Sequence, residues 1–78
     1  MKLNLKFFGR LEELTGINQQ TLEVPEGLTV ESLKTMMNEK NSRWQSQTYL
    51  IAVNQSIREN GELRDGDEIA FLPPFAGG

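Results

Sequence analysis

Apolar residues along this 78-residue chain fall into two periods, and the change from one to the other marks out the elements. Leu3, Leu5 and Phe7 alternate with Lys2, Asn4 and Lys6, the two-residue period of a half-buried strand. Leu11 and Leu14 then recur three apart within Arg10-Leu11-Glu12-Glu13-Leu14, and Gly16 supplies a left-handed stop for a helix of about two turns. Alternation returns at Leu22 and Val24 between Thr21 and Glu23, and Pro25-Glu26-Gly27 closes that strand with a turn. Thr29 is suited to cap a longer helix, Glu31 to its positive end, and Val30, Leu33 and Met37, with Met36 at the margin, form one apolar stripe ending near Lys40. Asn41 to Thr48 is polar apart from Trp44, which predicts a loop or single turn whose indole covers the edge of the core. Ile51 and Val53 lead through Asn54-Gln55 to Ile57. This is a hairpin pattern in which Gln55 stands where a tight two-residue turn prefers glycine. Asp65-Gly66-Asp67 reads as a turn before a last strand, Glu68 to Leu72, with Ile69 and Phe71 on one face and Ala70 and Leu72 on the other.

The order is therefore strand, helix, strand, helix, strand, strand, strand, an α+β chain in which a mixed sheet curls around the helix from Thr29 to Lys40. A length of 78 residues predicts a single domain, residues 1–78, ending in a tail over 73–78. If Leu3, Leu5, Phe7, Ile69 and Phe71 face the helix, parity sends Phe8, Leu72 and Ile57 to the other side of the sheet. With Phe75 they would form an exposed apolar patch near the tail, the usual mark of a partner surface, although Phe8 can equally pack beneath the short helix around Leu11.

The end of the chain carries the candidate chemistry. Pro73 and Pro74 each fix φ and lack an N–H, so they end strand pairing and direct Phe75, Ala76, Gly77 and Gly78 outward in an extended path. Gly77 and Gly78 carry no Cβ, so the terminal carboxylate can be threaded into a narrow channel of another protein. The rest of the composition removes rivals to this chemistry. With no cysteine and no histidine, the chain has no thiolate nucleophile and none of the commonest general bases or soft metal ligands. A self-sufficient enzyme is not expected. Asp65-Gly66-Asp67 lacks the later acids of a calcium loop, and adjacent Glu12 and Glu13 point about 100° apart on a helix. A net charge of −3 with no basic cluster speaks against nucleic acid, and no signal region or long apolar run speaks for a membrane, so the expected location is cytoplasmic. Glu59, Glu62, Asp65, Asp67 and Glu68 form an acidic stretch that either steers the tail to a basic partner or simply keeps the surface solvated.

The element order resembles the ubiquitin-like β-grasp fold. Phe7-Phe8 before the short helix, Val53-Asn54-Gln55, Asp65-Gly66-Asp67-Glu68 and the ending Pro73-Pro74-Phe75-Ala76-Gly77-Gly78 resemble the sulfur-carrier family, in its branch of small subunits of molybdopterin synthase. The resemblance spans the whole chain, with departures at Phe75, where the family usually has a smaller aliphatic residue, and at Gln55, where glycine is common.

The resemblance implies a cycle. A separate activating enzyme uses ATP and Mg²⁺ to adenylate Gly78, a sulfur donor protein displaces AMP to leave a thiocarboxylate, and the tail then delivers sulfur to a cyclic pyranopterin phosphate in the large synthase subunit. It further implies a two-plus-two complex with that large subunit and no cofactor held by this chain. Gly78 would carry the group, Gly77 let the tail pass, and Pro73 and Pro74 set its reach, while Phe8, Ile57, Leu72, Phe75 and Ala76 would meet partners. Two other classes use the same features. A protein modifier would join Gly78 to a lysine, and a plain interaction module would keep its function without Gly77-Gly78.

Overall fold

In a computed structural model describing residues 1–74, one sheet packs against one main helix. The strands are β1 (Lys2–Phe7), β2 (Gln19–Glu23), β3 (Leu50–Val53), β4 (Ser56–Ile57) and β5 (Glu68–Leu72), and the helices are α1 (Arg10–Thr15) and α2 (Val30–Lys40). A 3₁₀ turn, Ser42–Ser46, follows α2. Spatial order is β2-β1-β5-β3-β4, with β1 and β5 parallel at the centre and every other neighbour antiparallel. This is the ubiquitin-like β-grasp arrangement expected from the element order.

The alternation in β1 and β5 does what its period demands. Leu3, Leu5, Phe7, Ile69 and Phe71 are all buried on the helix side, and the parallel register sets Phe7 beside Phe71 with their rings stacked at 5.4 Å. α2 covers them with Val30, Leu33 and Met37. Its start is fixed locally, because the Thr29 hydroxyl accepts a 3.1 Å hydrogen bond from the Ser32 N–H, and its carboxyl end carries Lys40. Gly16 caps α1 in the left-handed region, at φ 78°.

Two placements differ from the expectations. Trp44 does not cover the edge of the core. It has no exposed surface, and its ring meets Phe71, Tyr49 and Phe7 edge-on at 5.2, 5.3 and 5.6 Å. The 3₁₀ turn carries it inward, because an otherwise polar segment has one large apolar side chain to contribute and the core has room for it. Tyr49 completes this aromatic cluster. Its hydroxyl donates to Asn38 Oδ1 at 2.7 Å, and burial, partly offset by that bond, pushes its ionisation up to about 12.

The second difference is in the acidic stretch, which is neither a free steering patch nor merely solvated. Leu63 lies buried within it, and its N–H bonds the Leu28 carbonyl at 2.9 Å. Asp65 Oδ1 accepts from the Lys2 N–H at 2.7 Å, and Asp67 accepts from the Arg64 N–H at 2.8 Å and from Asn54 Nδ2 at 2.9 Å. These acids are turn ligands that fix where β5 begins beside β1. The hairpin from β3 to β4 does form, with Asn54 at φ 49° and Gln55 at φ 74°, so Gln55 occupies the left-handed position without being glycine.

Candidate functional site

The tail leaves the sheet from β5, a central strand, and its base is therefore held on both sides. Leu72 pairs with Leu50 on β3, while the Phe8 N–H bonds the Phe71 carbonyl at 3.2 Å and carries the β1 ladder one residue past its end. Pro73 and Pro74 follow, both exposed. Pro73 packs on Gly9 so closely that a Cβ at Gly9 would lie 3.3 Å from Pro73 Cγ, and Gly9 itself sits at φ 59°. The missing side chain lets the proline ring rest on backbone. Phe8, Arg10, Leu11, Gln47, Thr48, Pro73 and Pro74 line a groove around this base. Phe75, Ala76, Gly77 and Gly78 lie outside the described residues.

On the side of the sheet away from α2, register gives the neighbourhood of the tail. Leu50 lies beside Leu72, with Phe8 continuing that row across β1. One row back, Ile57, Ala52, Ala70 and Lys6 stand side by side. The β3–β5 half of this face is apolar. The β1–β2 half is polar, and the Lys6–Glu68 ion pair at 3.2 Å marks the boundary. The apolar half is open to water, with Phe8 at 42% and Ile57 at 50% relative exposure and Leu72, Leu50 and Ala70 half-buried. A continuous open apolar surface of this kind next to an exposed tail suits a protein partner.

The structure thus brings Phe8, Leu72, Pro73 and Pro74 together at one corner. Ile57 shares their face but stands on β4, three strand spacings or about 14 Å from β1. It belongs to the far edge of the patch and not to the tail base. Phe8 lines the groove with Leu11 yet stays largely exposed, so it serves the surface more than the support of α1. Sequence reasoning missed Leu50 and Ala52, which the parity of Ile51 and Val53 implies, and Gly9, whose position directly between Phe8 and α1 is its one signal. Among the described residues, no cluster of three or more acidic side chains converges to hold a metal, and no helix is long and apolar enough to cross a membrane.

Fold and tail base together define a small β-grasp protein of the ubiquitin-like carrier class. The chain belongs to the ThiS family, whose model matches residues 5–78. It is 36% identical over 81 residues to the molybdopterin synthase sulfur carrier subunit of Escherichia coli, covering 97% of this chain and 99% of that one. Among solved structures, it resembles a Pyrococcus furiosus protein assigned as molybdopterin converting factor subunit 1, with a TM-score of 0.87 and 27% identity over 95% of this chain and 98% of the other. It also resembles a chain in the complex of subunits 1 and 2 of the molybdopterin-converting factor from Helicobacter pylori, with a TM-score of 0.70, 28% identity and full coverage of both chains.

Proposed function

We propose that this chain is the sulfur carrier of molybdopterin synthase, acting in the cytoplasm through the carboxylate of Gly78. The observation that carries the proposal is the family match, which runs without interruption through residue 78 and so includes the tail as well as the fold. An unactivated carboxylate resists attack. An activating enzyme therefore joins it to AMP from ATP, with Mg²⁺ and release of pyrophosphate, and a persulfide or sulfide from a donor protein displaces AMP to leave a thiocarboxylate. That sulfur is ionised at neutral pH and nucleophilic, and it attacks the cyclic pyranopterin phosphate held by the large subunit. Hydrolysis of the resulting acyl bond returns the carboxylate and leaves the sulfur behind. The dithiolene needs two sulfurs, so two carriers serve each product, which suits a two-plus-two complex.

In this scheme the chain supplies reach and docking, and its partners supply base, phosphate ligands and metal. The pinned Pro73 supports a fixed launch direction for the tail, and the apolar half of the outer face supports docking to the large subunit. Four residues beyond Pro74 span at most about 13 Å, which bounds the depth of the channel they enter.

The test is an intact mass after incubation with ATP, sulfide and extract from cells making the molybdenum cofactor. The expected result is one sulfur-for-oxygen exchange in the C-terminal peptide, absent when Gly77-Gly78 is deleted and strongly reduced in Gly78→Ala, where about 1 Å of displacement already disturbs reaction geometry. An unchanged mass while a control carrier is converted would contradict the proposal, and a stable amide to lysine would point to a protein modifier.

A further inference from the structure

The sheet has a second feature, at the edge opposite β2. β4 is two residues long and gives bridge partners only to Ala52 and Val53, after which one more bond, from the Arg58 N–H to the Ile51 carbonyl at 2.9 Å, ends the pairing. Backbone groups alternate in direction along a strand, so the Ile51 N–H and both backbone groups of Tyr49 point to this same edge. Among the described residues, none of the three has a hydrogen-bond partner, although Ile51 and Tyr49 are both buried residues. Backbone groups so placed are costly to leave unpaired.

A groove of about 140 Å³ adjoins them, between α2 and the end of β4, with Val30, Tyr49, Ile51 and Ile57 as its apolar walls. A cavity of roughly that size accepts a benzene ring, hence one large apolar side chain. Two cations flank it. Lys34 Nζ stands 5.1 Å above the Tyr49 ring, and the Arg58 guanidinium borders the other side while holding the Asn60 and Glu62 carbonyls. Glu59 lies beside Arg58, so free positive charge is concentrated at the Lys34 end.

We infer that this open edge of β3 is a docking site for an extended segment of a partner protein, one that adds to the edge as a strand and places an apolar side chain in the groove and an acidic one at Lys34. Strand addition satisfies the exposed main-chain groups, and the alternate side chains provide the selectivity. The site does not depend on the tail. It offers a hold for a further protein while Gly78 is engaged elsewhere.

The test pans a library of short random peptides against the full chain and follows amide hydrogen exchange. In the free chain the Ile51 N–H should exchange faster than its neighbours Ala52 and Val53. Enriched peptides should pair an apolar with an acidic residue and slow that exchange. Their affinity should fall about tenfold or more in Lys34→Glu, where an attractive charge becomes repulsive, and stay unchanged when Gly77-Gly78 is deleted. Three results would each overturn the inference: an Ile51 N–H already protected in the free chain, no enriched peptide, or enriched peptides indifferent to Lys34→Glu. Protection of the edge by a second copy of the chain, seen as self-association with concentration, would overturn it as well.

Discussion

The two faces of the sheet are built from the same strands and do opposite things. Toward α2, Phe7, Phe71, Leu5 and Ile69 are closed off from water and locked by ring stacking around Trp44. Away from it, Leu72, Leu50 and Ala70 are half-buried and Phe8 and Ile57 open, although these residues are as apolar as those inside. Alternation alone separates the two sets. In so small a domain one face is committed to stability, and apolar residues left on the other are available for partners. The tail begins where the two sets meet, at the end of β5.

The sharpest way to break this contrast is to truncate on each side. Phe71→Ala should cost about 3–5 kcal/mol, a large share of the stability of a small domain, and show as a lower denaturant midpoint by Trp44 fluorescence. Leu72→Glu, one residue along the same strand, should change stability by about 1 kcal/mol or less yet weaken binding to the large synthase subunit of a relative by at least tenfold in calorimetry. If both substitutions act mainly on stability, the faces are not divided as described.

A smaller effect distinguishes the aromatic cluster from the surface by pH. Tyr49 has its ionisation raised in the fold to about 12, against 10 for an ordinary tyrosine. The unfolded chain therefore loses the phenol proton first, so stability is intact below pH 10 and declines as pH rises through about 12. Tyr49 is the one tyrosine, and phenolate absorbance reports it directly. Tyr49→Phe should flatten the alkaline loss while costing about 1 kcal/mol at neutral pH through the bond to Asn38. Smallest of all, Gln55→Gly should raise the thermal midpoint by the equivalent of about 1 kcal/mol or less, because it relieves a left-handed residue at the hairpin tip, far from the tail.

How much of this was legible in the sequence depended on how local the signal was. The alternation in β1 and β5, the Thr29 cap, the Gly16 stop and the stripe of α2 are written within a few residues of one another, and each formed as expected. The face assigned to Phe8 and Leu72 followed from the same parity. What stayed hidden depends on contacts between distant segments. Trp44 and Tyr49 join the core because β5 brings Phe71 to them. Leu63 is buried among acids because the chain crosses beside Leu28, and Gly9 matters because Pro73, sixty-four positions later, rests on it. The distance of Ile57 from the tail is likewise a matter of strand order, which parity does not contain. Phe75, Ala76, Gly77 and Gly78 rest on the family match and the chemistry of their side chains.

The most direct test of the divided sheet is amide shift mapping of the labelled chain on addition of the large molybdopterin synthase subunit from a relative. The account predicts that Phe8, Leu50, Ala52, Ala70 and Leu72 respond together, while Glu31, Thr35 and Glu39 on the exposed side of α2 stay unmoved. Perturbation concentrated on α2, with the outer face of the sheet silent, would contradict it.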